Sequence, residues 1–330
     1  RSIAAAVDEG ALDSVRTDGR ARSVIWVAGR GTAETAGAML AATLGSSASA
    51  PIAVVSEAPP WVGPLDVVIV AADDPGDPTV VGAAATGVRR GARVVVVAPF
   101  EGPLRDTTAG RVAVLAPRLW VPDDFGLCRY LAAGLAVVQA VDPRLSIDLA
   151  ALADELDEEA LRDSAGRDMF TNPAKTLAAR LSDHRVALTG DCAATLAVAR
   201  HGSSMLLRIA HQVVAATGLA DAVVALRSKS EYGSVDALFH DEEIDGPLPD
   251  RLRVLALTLT GDRTVAAARV AGLDDVYLVT AEDVPDAVTA SGDAPVAPRP
   301  PTGAAPAEQQ LAVLAVRLEM AAVYLRLVRG

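Results

Sequence analysis

The sequence is poor in the residues that build disulfide frameworks and metal centres. Its 330 residues include two cysteines, four histidines and 3% aromatic residues. Cys128 and Cys192 lie far apart with no CxxC or His-rich spacing, which excludes a disulfide scaffold and a zinc motif. We therefore expect neither a metal nor another cofactor.

Positive charge is also scarce. The chain carries 30 Lys and Arg against 42 Asp and Glu, a formal net charge of −12. Nucleic acids and anionic membranes bind cationic surfaces, so neither is expected as a partner. The sequence has no run of about 18 uncharged apolar residues and lacks the pattern of a signal peptide at its N-terminus. These features predict a cytoplasmic protein.

The sequence does show a regular alternation of short β-branched runs with Ala-rich stretches. From Ser23 onward this alternation is typical of buried parallel strands joined by crossover helices. Helices are predicted from Ala33 to Leu44 and from Thr79 to Arg90. The predicted strands are SVIWVAG, PIAVVS, DVVIVAA, ARVVVVAP and RVAVLAP. They indicate a doubly wound parallel-sheet α/β domain over residues 1–147, with an N-terminal helix.

The alternation restarts in the second half of the chain. The acidic residues 148–171 are predicted to form a helical linker, and Asn172 with Pro173 to open the next helix. Residues 172–330 are predicted to form a second domain of the same class. Its predicted elements are the strand RVALTG, a long helix from about Ala193 to Thr217, and the strands DAVVAL, RLRVLALTLTG and DDVYLVT.

A glycine turn follows the first strand. Gly29-Arg30-Gly31-Thr32 matches the start of a dinucleotide-binding turn, in which glycines let the backbone approach a pyrophosphate at a helix N-terminus. The third glycine of that motif is missing, although Glu57 ends the second strand where a ribose-binding acid would lie. A tight turn before a helix is the favoured interpretation, and a nicotinamide-binding enzyme is the remote alternative.

Landmarks in both halves occur in an order that resembles one protein family. In the first half they are Trp61-Val62-Gly63, the strand DVVIVAA and Arg90-Gly91-Ala92. In the second half they are Asn172-Pro173-Ala174-Lys175, Gly190, Arg200 and Phe239-His240-Asp241-Glu242-Glu243-Ile244. Over nearly the whole chain, they resemble the sugar isomerase (SIS) domains of bifunctional phosphoglucose/phosphomannose isomerases. The resemblance implies two tandem flavodoxin-like SIS domains, a small phosphosugar ligand and a homodimer.

The C-terminal residues suggest where such a dimer would form. Residues 291–308 are rich in Pro and Ala and are predicted to form a loop. The apolar-periodic residues from Gln309 onward predict a closing helix that packs back onto the fold. This helix would also suit a symmetric contact between two copies.

The turn after the third strand departs from the family pattern. The family has a Ser-Gly-Asn-Thr type loop there, whose hydroxyls and amides cradle the substrate phosphate. This chain has Asp73-Asp74-Pro75-Gly76-Asp77-Pro78-Thr79, and its three carboxylates would repel a phosphate dianion. Asp77 before Pro78 predicts an internal cap of the following helix. The usual phosphate site is therefore predicted to be absent, and a magnesium site on these carboxylates is the less favoured alternative.

The resemblance also implies a catalytic base. Family members isomerise aldoses and ketoses, and a glutamate moves a proton between the first two sugar carbons. Glu242 matches that base, and Glu243 is an equal choice because an extra acidic residue makes the register ambiguous; His240 precedes both. A solvated acidic loop is the alternative interpretation. No histidine follows His240 to open the sugar ring, which points to lost or altered catalysis.

Substrate contacts are expected from the glycine turn and from the long helix of the second domain. Gly29 and Gly31 are the candidates in the turn, and the resemblance implies Arg200 on the helix. Ser203 and Ser204 follow Arg200 at helical spacing and could help it hold an anion. A polar stripe on an amphipathic helix is the alternative.

Two functional hypotheses follow from these patterns. The favoured one is a sugar-phosphate-binding relative with lost or altered catalysis, which acts as a sensor or as a partner subunit of another sugar-phosphate enzyme. The alternative is an active phosphosugar isomerase that uses Glu242 or Glu243 as its base.

Overall fold

The chain forms two compact units, Arg1–Glu155 (unit 1) and Leu156–Gly330 (unit 2). The computed structural model describes residues 1–16, 19–182, 185–228, 251–282 and 305–329. The boundary between the units falls inside a helix, so the predicted linker over residues 148–171 stays a prediction.

Unit 1 is built around a five-stranded parallel sheet (sheet 1) with strand order β2-β1-β3-β4-β5. Its described elements are α1 (Ser2–Asp8), β1 (Ser23–Ala28), α2 (Thr32–Leu44), β2 (Ile52–Val55), β3 (Asp66–Ala71), α3 (Pro78–Arg89), β4 (Arg93–Val97), α4 (Gly102–Thr108), β5 (Ala113–Val114), a 3-10 helix (Asp123–Phe125), α5 (Leu127–Val141) and the start of α6 (Leu149–Arg162). In this flavodoxin-like order, β2 is added on one side of β1, and β3, β4 and β5 are added on the other side. The carboxyl ends of β1 and β3 are therefore the switch point of the sheet. The predicted doubly wound domain is confirmed.

The central strands of sheet 1 are buried along almost their whole length. Because helices cover both faces of a doubly wound sheet, such strands form continuous apolar runs and do not alternate with polar residues. The largest side chain of this core is Trp26, whose Nε1 donates a 2.9 Å hydrogen bond to the carbonyl of Ala33. Gly37 leaves room for the indole, since a Cβ there would lie 2.4 Å from Trp26 Cδ1. Small residues on the helices thus let this one large ring fill the layer between sheet and helices.

Unit 2 repeats the architecture with a four-stranded parallel sheet (sheet 2) of order β7-β6-β8-β9. Its described elements after α6 are a 3-10 helix (Met169–Thr171), α7 (Pro173–Leu181), β6 (Arg185–Gly190), α8 (Ala193–Ala210), β7 (Ala215–Gly218), α9 (residues 219–228), β8 (Leu252–Leu257), a 3-10 helix (Thr260–Asp262), α10 (Arg263–Arg269), β9 (Val276–Val279) and α11 (Ala307–Arg329). As predicted, Asn172 caps α7, because its side-chain oxygen accepts a 2.9 Å hydrogen bond from the Lys175 amide. The second predicted α/β domain is confirmed as well.

Two predicted elements of unit 2 were wrong. The long helix ends at Ala210, where His211 adopts a left-handed conformation, and residues 215–218 form strand β7 in place of the predicted helix end. The sequence DAVVAL, predicted as a strand, lies in α9. Its apolar residues share one helical face with Leu219, at positions 222, 223 and 226, and that face packs on the core of sheet 2. The short β-branched run is therefore part of the apolar face of a helix. The actual edge strand, β7, has few large apolar residues, so its sequence does not indicate a strand.

The predicted closing helix is α11. It packs against α7 and α8, and side chains around most of its circumference are buried within unit 2. Only its last turn exposes large apolar side chains, at Leu327 and Val328. A dimer contact along the apolar face of this helix would therefore be restricted to that end. Residues 291–304 of the predicted loop lie outside the described residues.

Candidate functional site

The switch point of sheet 1 lies where β1 and β3 end. The turn after β1 places Gly31 at the N-cap of α2 with a φ of 92°, a conformation that favours glycine. A Cβ on Gly29 would lie 2.8 Å from the Cβ of Ala72, so this glycine lets the turn after β3 approach. Backbone conformation accounts for Gly31 and chain packing for Gly29, both without a nucleotide, and their role in substrate binding stays a prediction.

The turn after β3 is held together by its own carboxylates. Asp77 is buried, and its Oδ1 accepts a 2.9 Å hydrogen bond from the Thr79 amide at the start of α3. Pro78 occupies the first turn of the helix, as predicted. Asp74 accepts a 2.7 Å hydrogen bond from the Gly76 amide. The amides that could cradle a phosphate are thus bonded to carboxylates of the same turn.

The first carboxylate of the turn contacts α5. Asp73 Oδ1 accepts hydrogen bonds from the Tyr130 hydroxyl at 2.6 Å and from Arg129 Nη2 at 3.0 Å. The Arg129 guanidinium also stacks over the Tyr130 ring at 4.3 Å. Burial raises the pKa of Tyr130 above its ordinary value, so the phenol stays protonated and donates. Neither α5 residue is among the predicted site residues, and their only signal in the sequence is a polar pair near the start of a largely apolar helix.

The switch point of sheet 2 lies between β6 and β8. Asp191, directly after β6, accepts hydrogen bonds from the hydroxyls of Thr195 on α8 and Thr258 after β8. Cys192 occupies the N-cap of α8, and its amide donates to the Thr195 hydroxyl at 3.1 Å. A carboxylate therefore ties the ends of β6 and β8 to the start of α8 at the switch point of sheet 2.

Among the described residues, no group of three or more His, Cys, Asp or Glu side chains is arranged to hold a metal ion. The carboxylates after β3 are bonded to amides, a hydroxyl and a guanidinium. None of the described helices combines the length and the apolar composition that a membrane span requires.

The structure places the predicted α8 residues in different surroundings. Arg200 and Ser204 are exposed one turn apart on the helix surface. Ser203 faces β7, and its hydroxyl donates a 2.5 Å hydrogen bond to the Val214 carbonyl. Arg200 and Ser204 remain the candidate anion contacts of α8, while the Ser203 hydroxyl is already bonded. His240, Glu242 and Glu243 lie outside the described residues, so their catalytic roles stay predictions.

A buried polar cluster joins α6, α7 and α11 in unit 2. Asp163 Oδ1 accepts a 2.9 Å hydrogen bond from the Ala174 amide, and its Oδ2 is buried with no hydrogen-bond partner among the described residues. Burial first, and then the neighbouring Glu159 carboxylate, raise the pKa of Asp163 from 3.8 to about 6. Because the folded state binds this proton more tightly than the unfolded state, Asp163 costs stability as the pH rises from about 4 to about 6.

Replacing Asp163 with asparagine should stabilise unit 2 at neutral pH. The amide oxygen of the new side chain would keep the acceptor for the Ala174 amide, and the buried charge would be removed. We expect a gain of about 1–2 kcal/mol at pH 7.5 that disappears near pH 4, measured by urea unfolding followed by hydrogen exchange of α11 peptides. The exposed Asp168→Asn is the matched control. A gain that persists unchanged at pH 4 would contradict the assignment of the effect to this proton.

Comparisons with solved structures identify the same two-unit fold elsewhere. A candidate phosphosugar isomerase from Silicibacter pomeroyi aligns with a TM-score of 0.64 at 15% identity, covering 100% of this chain and 95% of that chain. Tagatose-6-phosphate ketose/aldose isomerase from Escherichia coli aligns with a TM-score of 0.65 at 14% identity, covering 99% of this chain and 88% of that chain. The C-terminal domain of glucosamine-fructose-6-phosphate aminotransferase from Francisella tularensis aligns with a TM-score of 0.55 at 11% identity, covering 100% and 95%. No protein-family model and no curated protein matches the sequence.

Proposed function

The chain has the two-unit SIS fold of the phosphosugar isomerases, and from that premise we propose that it binds a sugar phosphate without catalysing the isomerisation typical of that fold. In this proposal it acts in the cytoplasm, as a homodimer, as a sugar-phosphate sensor or as the partner subunit of another sugar-phosphate enzyme. The observation that carries the proposal is the turn after β3.

That turn offers no place for a phosphate. Asp77 caps α3 from within the turn, and Asp73 is held by Arg129 and Tyr130. A phosphate dianion there would have to displace one carboxylate and lie beside the others. At an effective dielectric constant near 20, each like-charge pair 4 Å apart costs about 4 kcal/mol. Loss of the phosphate contacts removes the binding energy that would position a sugar for proton transfer.

The ligand of the proposed sensor is expected at unit 2. Arg200 and Ser204 on α8 offer a guanidinium and a hydroxyl one turn apart, and both side chains are exposed. Such a pair can bind two oxygens of one phosphate group through charge-assisted hydrogen bonds.

The first test is turnover. Purified protein incubated with fructose 6-phosphate should form no glucose 6-phosphate or mannose 6-phosphate, as followed by NMR over hours. Turnover that disappears in Glu242→Gln or Glu243→Gln would overturn the non-catalytic proposal and support the active isomerase in its place.

The second test is binding. Phosphosugars should raise the melting temperature of the wild type with increasing ligand concentration, because a ligand of the folded state stabilises it by mass action. Arg200→Ala should weaken this binding about tenfold or more, since hydrogen bonds between charged groups contribute about 1.5–3 kcal/mol. Arg269→Ala, an exposed arginine on α10, is the matched control. If none of the phosphosugars shifts the wild-type melting temperature, the binding proposal is wrong.

A further inference from the structure

In the contact between Asp73 and α5, both the carboxylate and the guanidinium keep a polar atom without a hydrogen bond among the described residues. Within the described part of the chain, Oδ1 is the only bonded oxygen of the carboxylate, and it accepts from both donors, the Tyr130 hydroxyl and Arg129 Nη2. Asp73 Oδ2 and Arg129 Nη1 are buried without a hydrogen-bond partner among the described residues. A buried polar atom left unpaired has a desolvation cost that no hydrogen bond offsets. The carboxylate therefore satisfies only part of the donor set that surrounds it.

The donors fit an anion with more oxygens than a carboxylate has. A guanidinium presents its N–H groups in a planar fork that matches two oxygens of one anion, and phosphate or sulfate can fill both arms of such a fork. A third oxygen could accept from the Tyr130 hydroxyl, whose ring is held against the Arg129 guanidinium. A tetrahedral oxyanion can thus use Arg129 Nη1, which the Asp73 carboxylate leaves unpaired.

We propose that Arg129 and Tyr130 form an oxyanion site and that Asp73 occupies it as an internal counter-ion, which keeps phosphate out of unit 1. The donors of this site are side chains of α5, and they are separate from the amides and carboxylates of the turn after β3 that cap α3. The inference goes beyond the proposed function, because such a site can exist whether or not unit 2 binds a sugar phosphate.

Tethering explains why the internal carboxylate would prevail over free phosphate. Asp73 is fixed next to the site by β3, so it competes at the high effective concentration of an intramolecular group. The other carboxylates of the turn are occupied elsewhere, since Asp74 accepts from the Gly76 amide and Asp77 from the Thr79 amide. Removal of the Asp73 charge should therefore leave Arg129 available to an external oxyanion.

The proposal is tested by replacing Asp73, so that an external oxyanion can bind Arg129 and Tyr130. All three tryptophans, Trp26, Trp61 and Trp120, lie in unit 1, so tryptophan fluorescence reports the melting of that unit alone. Asp73→Ser should gain a rise of about 3 °C in melting temperature with inorganic phosphate or sulfate at concentrations above the dissociation constant and at constant ionic strength. The same titration of the wild type and of Asp74→Ser, which removes an exposed carboxylate of the same turn, should show no such rise.

Further variants make the outcome decisive. Asp73→Asn keeps the shape of the side chain and an acceptor for Tyr130, so it should fold in any case and show a smaller rise. Arg129→Ala in the Asp73→Ser background should abolish the rise. If neither Asp73 variant responds to oxyanions more than Asp74→Ser does, the proposal is overturned.

Melting of the Asp73→Ser variant also distinguishes free phosphate from a sugar phosphate as the ligand of this site. Equal shifts with inorganic phosphate and with fructose 6-phosphate would indicate a site for the phosphate group alone. A larger shift with fructose 6-phosphate would add a contact to the sugar. Because binding by the wild type is tested separately through Arg200, failure here and failure of the proposed function give different results.

Discussion

Replacing Gly190 with alanine should strongly destabilise the core of unit 2. A Cβ at this position would lie 2.1 Å from the backbone nitrogen of Leu196 and 2.5 Å from its Cα. Both atoms belong to the first turns of α8, so no side-chain rotation can relieve the overlap, and β6 and α8 would have to separate. Overpacking a well-packed core costs about 1–3 kcal/mol, and we expect at least the upper end because the overlap is with backbone.

Hydrogen exchange measured by mass spectrometry can localise this effect. In Gly190→Ala, peptides of α8 and β6 should lose protection by about a hundredfold or more, since about 1.4 kcal/mol corresponds to a factor of ten. Gly261→Ala is the control in the same unit, because a Cβ there meets nothing within 4 Å. Protection of α8 equal to that of the wild type would mean that the close approach of β6 to α8 is not needed for the fold.

The close approach at Gly190 also shapes the switch point of sheet 2. The residue lies directly before Asp191, whose carboxylate binds the hydroxyls of Thr195 and Thr258. The glycine therefore sets how near the N-terminus of α8 comes to the ends of β6 and β8. A substitution there would disturb the position of α8, which also carries Arg200.

The elements that the sequence predicted correctly are those whose signal is local. Strands β1, β3 and β4 are buried on both faces, so they form continuous apolar runs that need no tertiary information to recognise. The cap of α3 depends on Asp77 and Pro78, which are adjacent in the sequence. Local chemistry of this kind fixes an element wherever it lies in the fold.

The parts that were wrong or missed depend on distant partners. DAVVAL has the β-branched residues of a strand, and its helical spacing of apolar residues is recognisable only when Leu219, which precedes it, is included. Asp73 and Arg129 are 56 positions apart in the sequence, so their contact exists only once β3 and α5 are placed. In a chain with a net charge of −12, acidic residues are expected to lie at the surface, yet Glu159 is fully buried. Pairings of this kind follow from topology and leave no periodic signal.

The buried pair of Glu159 and Arg317 should produce the second large effect. Arg317 on α11 donates to both carboxylate oxygens of Glu159 on α6, with Nη2 to Oε2 at 3.1 Å. Its other donors reach the carbonyls of Thr280 at 2.9 Å and Ala281 at 2.6 Å, in the segment after β9. One buried guanidinium therefore ties α11 to α6 and to the end of sheet 2.

Replacing Arg317 with methionine should destabilise unit 2 by about 3 kcal/mol, near the lower end of the cost of breaking a buried ion pair, because the buried Glu159 carboxylate keeps only Arg162, whose Nη1 donates to Oε2 at 2.5 Å, as a charged partner. Urea unfolding followed by hydrogen exchange of α11 peptides measures the loss. Arg326→Met changes an exposed arginine of the same helix, whose Nη1 donates to the Ile209 carbonyl, and should cost less than about 1 kcal/mol.

A double substitution separates the pair from the packing of the helix. Because a buried ion pair gains little over apolar side chains of similar volume, Glu159→Met combined with Arg317→Met should recover most of the stability that Arg317→Met loses. The recovery should be incomplete, since the carbonyls of Thr280 and Ala281 would still lack the donors that Arg317 supplies. If the double variant is as unstable as the sum of its single variants, the loss arises from packing, and the charge of Glu159 is not its cause. A recovery would show that the uncompensated charge of Glu159, and not lost packing, destabilises the helix, which keeps its other buried polar contacts, those of Glu319 with His201 and of the Tyr324 hydroxyl with the Asp163 carbonyl.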